Sequence, residues 1–213
     1  MKLREQAYES FTRALLSLDL RAGQFVSQRE LVALTAMPLG AIRELIPRLE
    51  ADGLIRTVPQ RGMQIANVDL KLIRNAFQLR MILEREAAVQ FALGASAETI
   101  EGLAEAHQDI VVRAEKKVTQ ALLREAQEVD WKLHDTIIDA MGNEIIAEIY
   151  RVNSIKIRLI RLERVLLNAE VLLPAMREHL SIIDAFRSRD PEKVGQAMEQ
   201  HLTHARNRAL GVA

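Results

Sequence analysis

Residues 27–62 read SQRELVALTAMPLGAIRELIPRLEADGLIRTVPQRG, and the punctuation inside that run leaves few folds open. Ser27 with Glu30 three positions on is a capping box, which starts a helix by satisfying two orphaned backbone N–H groups. That helix runs to about Leu34. Pro38 suits the first turn of a second helix, where its missing N–H costs little. Ile42, Leu45, Ile46 and Leu49 then recur at the spacing of a buried helical stripe, up to Gly53. Pro47 falls inside this helix and is expected to kink or strain it. Leu54–Val58 and Met63–Val68 flank the turn Pro59–Gln60–Arg61–Gly62 and read as a two-stranded wing. Helix, tight turn, helix and wing is the layout of a DNA reader whose second helix enters the major groove. Leu39, Gly40, Ala41 and Arg43, early in that helix, would face the groove. Arg29 on the supporting helix and Arg61 at the wing tip are further DNA contacts, with solvated surface arginines as the competing reading for each.

The remaining length has a different character. Aromatics are 4% of the 213 residues against 49% apolar, so Leu, Ile, Val and Ala must build the core, which favours helices over a β sandwich. An amphipathic helix over 2–18 precedes the block. After it, helices are expected at 70–93 (capped by Asp69, ended by Gly94), 96–117, 119–141, 143–167, 171–187 and from Pro191 onward, with Asp190 as N-cap. The fold class is therefore mainly α: a winged helix-turn-helix over 1–68, followed by an all-α helical-bundle effector domain over 69–213. Net charge is zero, +2 over 1–66 and −2 over the remainder, which argues against indiscriminate polyanion binding. Cysteine is absent, no apolar run suits a signal peptide or a membrane span, and a cytoplasmic location is expected.

Chemistry in the second part centres on imidazoles. Asp130 and His134 are four apart, hence stacked on one helical face, and His179 and His201 sit on two later helices. An antiparallel bundle can bring all four together. One carboxylate and three imidazoles suit a divalent metal, Zn²⁺ first and Ni²⁺, Mn²⁺ or Fe²⁺ as alternatives. Chance placement of an Asp/His pair on a solvated face is the rival, but Trp131, Leu133, Ile137 and Ile138 around one pair, and Leu180, Ile182 and Ile183 around His179, favour burial. His204 reads as a supporting or surface group, and His107, among Glu105, Gln108 and Asp109, as exposed. Arg80 either pairs with Glu84 one turn on or points to a ligand carboxylate. Arg158, within the series Arg151, Arg158, Arg161 and Arg164, and Asn153 are weaker candidates for contacting an organic-acid effector.

Gly23, Arg29–Glu30–Leu31, Ile42–Arg43–Glu44–Leu45, Arg48–Leu49–Glu50, Asp52–Gly53–Leu54–Ile55 and Arg61–Gly62 together resemble the GntR superfamily of winged-helix regulators. This chain has Leu39 where the family usually has a base-contacting arginine, so Arg29, Arg43 and Arg61–Gly62 are the contacts the resemblance carries over. Arg80–x3–Glu84, Ala87–Ala88, Asp130–x3–His134, Gly142–Asn143, Glu178–His179 and His201–Leu202 are similar to the FCD effector domain of the FadR-type branch. The resemblance implies a helical bundle whose cavity holds a metal, ligated by Asp130, His134, His179 and His201, together with a small carboxylate-bearing metabolite. It also implies a homodimeric repressor of operator DNA, released by ligand. Two rivals stand against that: a constitutive DNA-binding protein with structural histidines, and a helical-bundle metalloenzyme. The sequence contains neither a His-Glu-x-x-His nor a Glu-x-x-His pair, which disfavours the enzyme.

Overall fold

The computed structural model describes residues 3–164 and 169–212. The element order is α1 (Leu3–Leu16), β1 (Phe25–Val26), α2 (Gln28–Thr35), α3 (Leu39–Ala51), β2 (Ile55–Val58), β3 (Gly62–Ile65), α4 (Leu70–Gly94), α5 (Ala97–Lys116), α6 (Gln120–Asp139), α7 (Glu144–Arg164), α8 (Ala169–Ser188) and α9 (Pro191–Leu210). The expected start of the first helix at Lys2 and the end of the seventh at Leu167 lie outside the described residues.

Helix starts follow the capping residues. Ser27 Oγ accepts from the Glu30 amide at 3.2 Å while the Ser27 amide donates to Glu30 Oε2 at 2.6 Å, so both halves of the box are made. Asp69, Ser96, Thr119 and Asp190 each accept from backbone amides at the head of α4, α5, α6 and α9. Pro47 does not break α3, which is one helix from Leu39 to Ala51 with the proline on its exposed side.

The chain divides into two compact units, residues 1–73 with 154–163 and residues 74–153 with 164–213. In the first, Phe11, Leu15, Leu31, Ile42, Leu45, Leu49 and Leu54 form a core with no exposed area. Its sheet is antiparallel in the order β1-β3-β2, with Phe25 opposite Gln64 and Val58 opposite Gly62. The sheet thus has one strand more than the sequence suggests, because two residues are too few to leave a period-two pattern. Gly62 has φ +89°, and a Cβ there would sit 2.8 Å from the Val26 carbonyl oxygen, so the close approach of β1 to the wing requires glycine.

The boundary near residue 68 inferred from the sequence omits part of this unit. Ser154–Glu163 of α7 groups with it, and Leu159 from that stretch is fully buried in its core. Helices are the only regular elements of the second unit among its described residues. One core joins Phe91, Leu133, Ile137, Ile183, Phe186 and Leu202, and another joins Ile110, Leu122, Ala126, Leu172 and Met176. No helix among the described residues is long and apolar enough to cross a membrane.

Because Leu159 is buried without residual exposure, Leu159→Ala is expected to cost about 2–5 kcal/mol. Urea unfolding followed by circular dichroism checks this, with the loss falling on the transition of the winged unit.

Candidate functional site

The second unit buries an assembly of ionisable groups that an apolar bundle would otherwise exclude. Asp130 and His134 lie one turn apart on the buried face of α6, at 3% and 2% exposure. His179 on α8 and His201 on α9 come from the opposite side, at 0% and 4%. Each of the three histidines offers a ring nitrogen, and these atoms all lie within 4.8 Å of one another. His179 Nε2 and His201 Nε2 are 3.3 Å apart, and the His134 and His201 rings stack at 5.3 Å between centroids. Asp130 Oδ1 lies 3.8 Å from His134 Nε2, beside this group rather than within the mutual set.

Two carboxylates fix how the rings present themselves. Glu178 Oε2 accepts from His201 Nδ1 at 2.9 Å. Burial alone would raise the Glu178 pKa, but hydrogen bonds from His201 and Arg208 outweigh it and hold the carboxyl at about 2. An ionised carboxylate only accepts, so the His201 proton sits on Nδ1 and Nε2 keeps its lone pair. Burial pushes the His201 pKa down to about 4, so the ring is neutral at neutral pH. On the other side Glu84 Oε2 approaches His134 Nδ1 at 2.7 Å, a close contact without the alignment of a hydrogen bond. Burial would again raise the Glu84 pKa, yet Arg80 and His134 bring it down to about 2. His134 Nε2 is left buried with no hydrogen-bond partner.

This arrangement fits a cation. His201 Nε2 keeps its lone pair 3.3 Å from His179 Nε2, which donates to it as one tautomer and as the other presents a second lone pair that a cation between the rings would share. Nitrogens bound tetrahedrally at the usual Zn–N length of about 2.0–2.1 Å would be about 3.3 Å apart. Neutral imidazoles backed on their other nitrogen by carboxylates are the form in which histidine binds metals.

The remaining effector candidates divide. Arg80 is buried and bonds Glu84 Oε1 at 2.5 Å, so the helix bridge is made. Its guanidinium still acts electrostatically on Asp130 and His201, which keeps it next to the histidines. Asn153, buried at 3%, donates through Nδ2 to the Ala76 carbonyl at 3.0 Å and so ties α7 to α4. Arg158 falls in the stretch of α7 that groups with the winged unit, whereas the histidines belong to the bundle.

The expectation for His107 is overturned. It has no exposed area, and its Nδ1 lies 2.7 Å from the Leu103 carbonyl oxygen. Its neighbours in sequence are polar, but its neighbours on the helix are Leu103, Ala104, Ile110 and Val111, all buried. The periodicity Ile100, Leu103, His107, Ile110, Ala114 carried that signal. Glu84 and Glu178 were visible only as a helix-bridge partner and as part of a motif, and nothing in their spacing shows that they grip histidines from other helices. His204, half exposed, shares Glu178 through Nδ1 at 3.1 Å.

In the winged unit Arg29, Leu39, Gly40, Arg43 and Arg61 are all exposed. Arg43 Nε donates to Gln28 Oε1 at 3.3 Å, and the Arg61 guanidinium stacks over Phe25 at 4.2 Å. Gly40 has open space where a Cβ would point, so nothing within the protein demands glycine there. Gly62 has a backbone role beneath the wing tip. Ala41 is buried at 5% and faces the core rather than a groove, the 3.6-residue turn carrying it round beside Leu45.

Residues 75–204 match the FCD domain family. The HTH-type transcriptional repressor RspR of Escherichia coli K12 is 24% identical over 204 residues, covering 93% of this chain and 85% of that protein. A GntR transcriptional regulator from Rhodococcus sp. RHA1 superposes with a TM-score of 0.74 at 17% identity, covering 95% of each chain. A metal-free FCD domain of a transcriptional regulator superposes with a TM-score of 0.57 at 22% identity, covering 69% of this chain and 97% of that one.

The Arg80–Glu84 pair makes one quantitative demand. Glu84→Ala leaves a buried guanidinium without its counter-charge and is expected to destabilise the fold by about 3–5 kcal/mol, whereas replacing both residues with methionine recovers most of that. Urea titration of the two variants beside the parent measures the difference.

Proposed function

The chain belongs to the FCD domain family, and from that premise we propose that it is a metabolite-responsive, DNA-binding transcriptional regulator of the GntR type. The observation that carries the sensing half is the convergence of His134, His179 and His201 with their ring nitrogens mutually within 4.8 Å in a buried site. The DNA-binding half is supported by the exposed face of α3 and by the wing, held on a core of their own. The relatives matched are regulators, and the metalloenzyme reading falls with them.

In this proposal a divalent metal, zinc in the first instance, is held by His134, His179 and His201 with Asp130 as the carboxylate beside them. Its open coordination positions would receive the acid group of a small organic metabolite. Glu178 keeps the His201 ring proton on Nδ1 and turns the Nε2 lone pair toward the cation, while Glu84 lies against His134 Nδ1 from the other side. Arg80, neutralised by Glu84 yet adjacent to Asp130, adds positive potential for an anionic ligand, and Asn153 braces the wall through α4. The protein acts as a homodimer in the cytoplasm, presenting two recognition helices to half-sites about one helical turn apart. Arg29, Arg43 and Arg61 touch the operator, with Leu39 and Gly40 against base edges. Ligand binding releases repression by favouring one arrangement of the DNA heads over the other, which requires different affinities for the two.

Two measurements test this. Purified protein should carry close to one equivalent of metal per chain by elemental analysis, and the double variant Asp130→Ala, His134→Ala should carry none while retaining its fold and its DNA affinity. Metal-free wild-type protein whose melting temperature ignores zinc, nickel, manganese and iron would defeat the sensing half. Arg43→Ala should weaken operator binding by about 1–3 kcal/mol in a gel shift, with unfolding unchanged. An unaltered affinity would defeat the assignment of α3 as the reading helix.

A further inference from the structure

Glu178 is itself held, and the residue that holds it lies outside the histidine group. Arg208, in the last turn of α9, meets the Glu178 carboxylate with both arms of its fork. Nη1 donates to Oε1 at 2.8 Å and Nη2 to Oε2 at 3.0 Å. Both side chains are 17% exposed. His201 Nδ1 shares Oε2 at 2.9 Å, and His204 Nδ1 lies 3.1 Å from Oε1. Positions 201, 204 and 208 fall on one stripe of a helix. α9 therefore carries a ring of the histidine group and also the guanidinium that grips the carboxylate behind that ring.

The fork supplies what the ring cannot. A glutamate carboxylate turns easily about its last bond, where the torsion is broad. One hydrogen bond from His201 pins one oxygen and leaves the plane free to swing, and half-exposed His204 draws on the other oxygen. Two parallel bonds from a guanidinium define the plane. With the plane set, Oε2 stands at His201 Nδ1, and an acceptor there keeps the ring proton on that nitrogen. A lysine would bring the charge without the plane. We propose that Arg208 is a positioning residue of the histidine site: by locking the plane of Glu178 it fixes the His201 proton on Nδ1 and keeps Nε2 free for a cation. The cation half of this statement rests on the metal reading given above, and the tautomer half concerns metal-free protein.

The test uses the full chain stripped of metal by a chelator, with zinc as the probe. Nitrogen-15 spectra of the metal-free wild-type imidazoles should show His201 as one tautomer, protonated at Nδ1. Arg208→Met should show both tautomers in exchange. Its zinc affinity, measured in competition with a chromophoric chelator, should fall about tenfold, as loss of an outer contact does at a histidine metal site. Arg208→Lys should remain clearly weaker than wild type. In the Glu178→Ala background, Arg208→Met should change nothing further, because its effect passes through that carboxylate. Arg187 makes a similar fork on Glu101 at the surface, at 2.8 and 2.6 Å, so Arg187→Met is the matched control and should leave zinc affinity unchanged. Wild-type His201 protonated at Nε2 overturns the proposal without any variant having to fold. So does an Arg208→Met protein with its His201 tautomer and zinc affinity intact. Full recovery in Arg208→Lys would make charge alone responsible, and an equal loss in Arg187→Met would make it general loosening of the bundle; either overturns it. A wild-type chain that takes up no zinc would sink the sensing proposal and the cation half of this one, while the tautomer spectra would still decide whether Arg208 sets the ring.

Discussion

The buried face of the bundle depends on one constraint: every charge taken out of water there must meet its opposite. Arg80, Glu84, His134 and Asp130 follow one another in contact, Arg80 on Glu84 at 2.5 Å, Glu84 on His134 at 2.7 Å and His134 on Asp130 at 3.8 Å. Arg80 holds Glu84 ionised against the cost of burial, and Glu84 in turn contacts His134 Nδ1. The balance is local and nearly complete, which is why α4 and α6 can turn these residues inward at all. His134 Nε2 lies on the side of Asp130 Oδ1, 3.8 Å away, and has no hydrogen-bond partner.

Glu178 repeats the device from the far wall with different partners. It takes His201, His204 and Arg208, all from α9, at 2.8–3.1 Å. Three successive turns of one helix are thus pinned to a single carboxylate on α8. The consequence for His201 is rigidity: its ring cannot flip without losing the acceptor of its Nδ1 proton. If His201 Nε2 is a ligand atom as proposed, fixing it in advance removes part of the entropic cost of binding, and Glu178 then acts on the site through His201.

Much of this architecture is legible in the sequence where the signal is local. Ser27–Glu30, Ser96, Thr119 and Asp190–Pro191 mark helix starts because a cap is a contact between residues two or three apart. Asp130–His134 could be read because one helical turn stacks them. What escaped reading is what depends on contacts distant in sequence. Leu159 looks like any apolar residue of a bundle helix, and only packing shows that it belongs with Ile42 and Leu45. β1 is two residues held by pairing with Gln64 and Met63, which no window along the chain can register. Glu84 and Glu178 look like ordinary surface acids until α6 and α9 bring histidines to them.

His107 differs from these, because its burial is signalled locally, by the helical periodicity of α5. Polar neighbours at 105, 108 and 109 suggest exposure only if adjacency in sequence is taken for adjacency in space. On α5 those residues are the solvated face, and the stripe from Ile100 to Ala114 passes through position 107. An apolar residue would satisfy that stripe more cheaply than an imidazole, whose buried nitrogen needs a partner. The backbone carbonyl of Leu103 takes care of one nitrogen and leaves the other. Packing therefore accounts for the ring but not for the choice of histidine. His134 on α6, His179 on α8 and His201 on α9 are buried in the same way, and packing alone does not account for an imidazole at those positions either.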